Sequence, residues 1–221
     1  MVASSDGGLG YHPAQYSNQN STMGTLTELR NLISAFHDNG TRVVADIVIN
    51  HAANQSTWCD FYANAFTGGY GTFRPDASWI CRTDEVNSAS DAGSCKGKAT
   101  GAADDGYGTE ANYGSARDWD HTNTLVQDMF KAYLQWMKNK MYYDGWRYDY
   151  CKGYKTTHIN DYNIASAPYI SIMEYWDGNA STLKSRISQA SYNTMAFDFA
   201  NRYTAFRDGI RLNKYSNLKN C

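Results

Sequence analysis

Two acidic residues sit at the ends of short apolar runs, where a side chain is positioned to do chemistry. Asp149 closes the run Gly145-Trp-Arg-Tyr-Asp149, and Glu174 closes Tyr169-Ile-Ser-Ile-Met-Glu174. Two carboxylates on neighbouring strands, roughly 5 Å apart, can cleave a glycosidic bond with retention. One attacks the anomeric carbon; the other protonates the leaving oxygen and later activates water. Arg147 lies two residues before Asp149, on the same strand face, where it could hold Asp149 ionised at neutral pH. Glu174, followed by Tyr175 and Trp176, has the less polar neighbours that raise a carboxyl pKa and suit a general acid. His51 ends the run Val43-Val-Ala-Asp-Ile-Val-Ile-Asn-His51. Taken singly, each acid reads equally well as a helix cap or ion-pair partner, and it is their combination that points to catalysis. Asp198, in Phe197-Asp-Phe199, and Asp46, inside its strand, are read as structural.

Such chemistry needs a frame. Thr25-Leu-Thr-Glu28 has the capping-box pattern, and Leu26, Leu29, Leu32, Ile33 and Phe36 follow on one face before Gly40, which predicts a helix over about 25–39. Val43 to Ile49 reads as a β-branched strand apolar on both faces, as buried parallel strands are. A second capping box, Thr124-Leu-Val-Gln127, opens a helix carrying Leu125, Met129, Phe130, Tyr133, Leu134, Met137 and Met141. Strands follow at 145–149, 169–174 and 195–199, with a helix around 180–190. This alternation predicts a parallel α/β sheet or barrel, whose working residues collect at the C-terminal strand ends. Asp149, Glu174 and Asp198 recur at intervals of 25 and 24 residues, about one βα unit each. Between Asn50 and Gly145, by contrast, lie 94 residues. Residues 52 to about 118, rich in Gly, Asn, Ser and Asp, therefore read as an inserted irregular subdomain held by a metal ion or a disulfide.

Composition narrows the partners. The 221 residues carry 20 basic and 22 acidic side chains, a net charge of −2, with no Lys/Arg run. Nucleic acid and anionic membrane surfaces are thereby disfavoured. No apolar run approaches the roughly 20 residues that cross a bilayer. Aromatic residues reach 14% against only 19% charged, a balance suited to stacking and hydrogen bonding. Met1-Val-Ala-Ser-Ser-Asp-Gly-Gly has neither the basic nor the apolar region of a secretory signal. Cys59, Cys81 and Cys95 share a loop-rich stretch, so a disulfide among them and an oxidising compartment are expected; no CxxC spacing favours zinc.

Several of these segments carry a family resemblance. Asp46-Ile-Val-Ile-Asn-His51, Gly145-Trp-Arg-Tyr-Asp149 with Lys152-Gly-Tyr154, and Glu174-Tyr-Trp resemble, in order, the first three conserved segments of the α-amylase family, glycoside hydrolase family 13. Ser78-Trp-Ile-Cys-Arg82 and Arg117-Asp-Trp-Asp-His121 resemble segments of the small calcium-binding domain of plant-type α-amylases and their bacterial relatives. Leu9-Gly-Tyr-His-Pro13 is similar to the end of the second barrel strand. The resemblance implies an α/β fold, a partial TIM (β/α)8 barrel of about strands 2 to 6, with barrel segments 1–51 and 119–221 around an inserted calcium-binding domain at 52–118. It implies Asp149 as nucleophile and Glu174 as acid/base. His51 and Arg147 would line the subsite of the sugar being cleaved, Tyr11 would stack on that ring, Lys152 would contact the next glucose, and Trp176 would lie near the cleft floor. It further implies Ca2+ on Asn50, Asp118 and the carbonyl of Gly153, oxygen donors that suit a hard cation. Asp104 and Asp105 are candidates for a further ligand.

The implied activity is retaining, endo-acting hydrolysis of an α-1,4-glucan such as starch, by a secreted protein that is monomeric at full length. Nothing after Phe199 resembles the fourth conserved segment with its third catalytic carboxylate. The resemblance therefore implies a fragment, with strand one ahead of Met1 and strands seven and eight beyond Cys221, nearly inactive by itself. Two alternatives stand beside it. A carbohydrate-binding protein without turnover is disfavoured by the retained Arg147, Asp149 and Glu174; a related α-glucosidase or transglycosylase is disfavoured by the plant-like insertion.

Overall fold

The computed structural model describes residues 10–107 and 116–220. Helix α1, Leu26–Asp38, begins at the predicted capping box: the Thr25 hydroxyl accepts the Glu28 N–H at 3.2 Å, and the Glu28 carboxylate accepts the Thr25 N–H at 2.7 Å. Strand β1 follows at Val44–Ile47. Leu9 lies outside the described residues, and residues 10–13 form no strand of the sheet. Two of their carbonyls meet the segment that follows β1: Pro13 accepts the Ala53 N–H at 3.0 Å, and the Tyr11 carbonyl meets His51 Nε2 at 2.8 Å.

The insertion is irregular, as expected. It opens with β2 (His51–Ala52), continues through a small hairpin of β3 (Asn64–Phe66) and β4 (Gly71–Phe73), and returns in β5 (Arg117–Asp118), which pairs antiparallel with β2. Regular pairing is too sparse to hold it, and other contacts do so. Cys59 and Cys95 form a disulfide, which settles the pairing left open among the three nearby cysteines, while Cys81 and Cys151 are buried free thiols. Arg117 is fully buried, with its guanidinium 2.5 Å from Asp84 and 3.3 Å from Glu85, over the Trp58 ring.

Helix α2, Thr124–Met141, starts one residue earlier than its sequence pattern implied, since Asn123 and not Thr124 is the cap, its side chain accepting the Leu125 N–H. Asn is the stronger cap of the two. Met129, Phe130, Tyr133, Leu134, Met137 and Met141 are buried as predicted, whereas Leu125 in the first turn is exposed. Then come β6 (Gly145–Tyr148), α3 (Thr156–Ser166), β7 (Ile170–Met173), α4 (Ala180–Gln189) and β8 (Met195–Ala196). The four longer-range strands form one parallel sheet in the order β1-β6-β7-β8. Alternation divides its faces. Ala45, Ile47, Trp146, Tyr148 and Met173 are buried in the main core, and the opposite, half-buried face carries Asp46 and Arg147. A Cβ on Gly145 would lie 2.3 Å from the Ile170 carbonyl, so glycine sets the close approach of β6 to β7. Asp198 caps the turn after β8 by accepting the Asn201 N–H, as its structural reading expected. Among the described residues, no helix is long and apolar enough to cross a membrane.

Closing a loop of this separation, 36 residues, is worth about 4 kcal/mol. Replacing Cys59 and Cys95 together by Ala is expected to lower the unfolding free energy by that order, measured by urea denaturation of the oxidised proteins.

Candidate active site

The sheet ladder carries its hydrogen bonding one residue past the strand ends, and that rung holds the two acids. The Asp149 N–H donates to the Ile47 carbonyl and the Glu174 N–H to the Tyr148 carbonyl, both at 2.9 Å. Adjacent strands in register therefore deliver both carboxyl groups to one end of the sheet. Arg147 sits opposite Asp46 in the β1–β6 pairing, on the same face.

The Arg147 guanidinium is the centre of the cluster. One terminal nitrogen donates to Asp149 at 2.6 Å and to Asp46 at 2.7 Å, and the other reaches Glu174 at 2.7 Å. Arg147 meets Asp149 as the sequence suggests, and register brings a further carboxylate, Asp46, to the same guanidinium. Its signal in the sequence was a lone charge in an otherwise apolar strand. Burial pushes the Asp149 carboxyl up to about 6, with Arg147 pulling against it. Contrary to the expectation that Arg147 keeps this carboxyl low, burial outweighs the pull of the guanidinium here. Burial works against the charge of Arg147 too, but the hydrogen bond and proximity of Asp46, with Asp149 and Glu174, more than offset it. Glu174 also accepts the Tyr150 N–H at 3.3 Å, so two donors orient its carboxylate despite its aromatic neighbours.

The other expected residues fall around this centre. The Tyr11 hydroxyl donates to Asp46 at 3.0 Å, leaving its ring 40% exposed beside Arg147. His51 is packed against the same segment, and burial lowers its imidazole, which is neutral at pH 7. Trp176, on the β7 side, is partly exposed and stacked on Phe199 at 4.7 Å, with the Arg202 guanidinium 5.8 Å from its ring. Lys152 lies in the loop after β6, its ammonium 5.3 Å from the Tyr175 ring. Sequence reasoning passed over Phe199, whose backing of Trp176 depends on the turn that Asp198 caps.

The candidate cation ligands divide differently. Asn50 and Asp118 come together, the amide 3.5 Å from the carboxylate, where β2 and β5 pair. Gly153 is held in the loop after β6, its backbone against Gly106. Asp105 is engaged by His158 at 3.0 Å and the Lys155 N–H at 3.2 Å, and Asp104 accepts the Gly106 N–H. Asp84, Glu85 and Asp118 bring ligand oxygens within 4.8 Å of one another around Arg117. Two of these carboxylates face the Arg117 guanidinium and Asp118 adds a third close by, hard oxygen donors of the kind that suit a divalent cation.

The raised Asp149 carboxyl gives stability a pH dependence of definite sign. The unfolded group loses its proton near 3.8 and the folded one near 6, so the stability that this group contributes is lost as pH rises from about 4 to about 6. Asp149→Asn is expected to remove that slope, as read by urea unfolding at a series of pH values.

Comparison with known proteins identifies the family. Residues 2–204 match the family model described as Alpha amylase, catalytic domain. "Alpha-amylase 3, chloroplastic" of Arabidopsis thaliana is 32% identical over 168 residues, 76% of this chain and 17% of that protein. The chain thus spans under a fifth of that relative's length. An α-amylase structure from Malbranchea cinnamomea superposes with a TM-score of 0.61 at 19% identity, covering 88% of this chain and 37% of the other. One from Geobacillus thermoleovorans, complexed with acarbose, also gives 0.61, at 16% identity over 90% and 40%. These two likenesses are of fold. With nearly its whole length matched by the family model, the chain belongs to the α-amylase family of glycoside hydrolases.

Proposed function

We propose that these residues form the catalytic site of a retaining, endo-acting α-1,4-glucan hydrolase, with Asp149 as nucleophile and Glu174 as acid/base. The supporting observation is that Asp149 and Glu174 hang on the two terminal nitrogens of one guanidinium at the strand ends. The cycle starts with Asp149 ionised and Glu174 protonated. Asp149 attacks the anomeric carbon as Glu174 gives its proton to the departing glycosidic oxygen. Glu174, now a carboxylate, then takes a proton from water, which attacks the glycosyl-enzyme and releases Asp149. Tyr11 presents a ring face to the sugar being cleaved, Arg147 offers a donor to its hydroxyls, His51 lines the same subsite, Trp176 forms a second aromatic wall, and Lys152 reaches the next glucose. Tyr11 at the β1 side and Trp176 at the β7 side are both exposed, leaving a cleft open at its ends. An open cleft suits binding within a long chain. The half-buried sheet face carrying Asp46 and Arg147 is the interior of the (β/α)8 barrel in this reading, with residues 52–118 as its inserted domain.

Ca2+ belongs to the same proposal. Asn50, Asp118 and the Gly153 carbonyl would hold it, and its contribution is a cross-link between the insertion and the barrel together with balance for the surplus acidic charge. The Cys59–Cys95 bridge supports residence in an oxidising compartment, in keeping with a secreted enzyme.

In the full-length protein, Asp149→Asn and Glu174→Gln are each expected to lower kcat on soluble starch by at least about 100-fold. Intact turnover in either variant would sink the assignment. Chelation of divalent cations is expected to lower the melting temperature, with Ca2+ restoring it; an unchanged melting curve counts against the cation site.

A further inference from the structure

The insertion reaches the acid/base through one side chain that no step above uses. The Tyr107 N–H donates to the Lys152 carbonyl at 2.6 Å, pinning the loop that follows β6. Its hydroxyl donates to Gln189 at 2.6 Å, accepts the Thr156 N–H at 3.1 Å, and lies 3.2 Å from the Thr156 hydroxyl, which ties it to α4 and to the start of α3. Its ring is covered by the Arg186 guanidinium at 3.7 Å and meets the edge of Tyr175 at 5.6 Å. Arg186 in turn donates to the Tyr175 hydroxyl at 3.2 Å. One tyrosine thus touches both chain segments that flank Glu174.

Those segments determine where the Glu174 carboxyl points. Tyr175 is the next residue along. The loop pinned at Lys152 includes Tyr150, whose N–H donates to the Glu174 carboxylate, and Cys151, whose N–H donates to the Glu174 carbonyl at 3.0 Å. Tyr150 adopts a left-handed conformation, φ 44°, which a non-glycine residue keeps only when its surroundings hold it there. We propose that Tyr107 is a positioning residue for the acid/base: by clamping the 150–153 loop and Tyr175 together, it keeps the Glu174 carboxyl aimed at the leaving oxygen. The inference rests on the reading of Glu174 as acid/base.

Its test separates proton donation from folding and binding. Maltoheptaose needs a proton on its leaving oxygen, whereas fluoride leaves α-maltosyl fluoride unaided, so misaiming the acid harms the bond-breaking step, which kcat/KM reports, only with the first. In the full-length protein, Tyr107→Ala is expected to lose about 30-fold in kcat/KM on maltoheptaose and less than about threefold in kcat/KM on the fluoride. Tyr107→Phe, which keeps the ring and the backbone donor, should shift the same ratio in the same direction by less, with KM little changed, and it decides the matter if the alanine variant does not fold. Equal losses on the two substrates, or none, overturn the role of Tyr107. A wild-type protein inactive on both overturns the underlying reading instead.

Discussion

Like charges that meet in a half-buried place must be balanced, and in this chain the balance falls on a single side chain. Two carboxylates about 4 Å apart repel by about 4 kcal/mol at the effective dielectric of a protein surface. Three converge on Arg147, supplied by β1, β6 and the end of β7. The guanidinium, with its fork of donors, can serve all three at once where a lysine could not. Strand register, the opposition of Asp46 and Arg147, and the ladder bonds of Asp149 and Glu174 all follow from or serve this meeting. Tyr11 joins it through Asp46, so the cleft wall is tied to the same charge centre.

A second, separate balance holds the insertion. Arg117, fully buried, answers Asp84 and Glu85, and the Asp84 carboxylate also accepts the Asp118 N–H at 2.8 Å. Burial pushes the Asp84 carboxyl up while Arg117 opposes it, so the pair stands only because each supplies what the other needs. The insertion is thus internally rigid where it leaves the sheet. From there it reaches back through Asp105 to His158 and through Tyr107 to α3 and α4. Contacts to two of the helices are thus made by a segment with very little regular structure.

What could be read from residues alone was whatever depends on local pattern. The Thr25–Glu28 box, the apolar stripe of α2 and the acids closing 145–149 and 169–174 are all set by spacing, and all are present. What escaped depends on contacts between distant segments. Asp46 joined the site only when β1 and β6 paired; Tyr107 gained its partners 45 or more residues away. The partner of Cys59 could not be chosen over Cys81 without the folded insertion. The strand whose end Leu9–Pro13 resembles lies outside the described residues.

That disulfide has an odd neighbour. Cys81 lies in the same segment as Cys59 and Cys95, yet its thiol donates to the Trp119 carbonyl at 3.4 Å, and burial pushes its ionisation far above the ordinary range. Exchange between a thiol and a disulfide proceeds through the thiolate. With the core closed, Cys81 has no thiolate to offer, and Cys151 is suppressed by burial in the same way. The correct pairing is consequently preserved by kinetics for as long as the protein stays folded. Once the chain opens, both thiols regain ordinary acidity and can reshuffle the bridge, turning a reversible unfolding into a permanent loss.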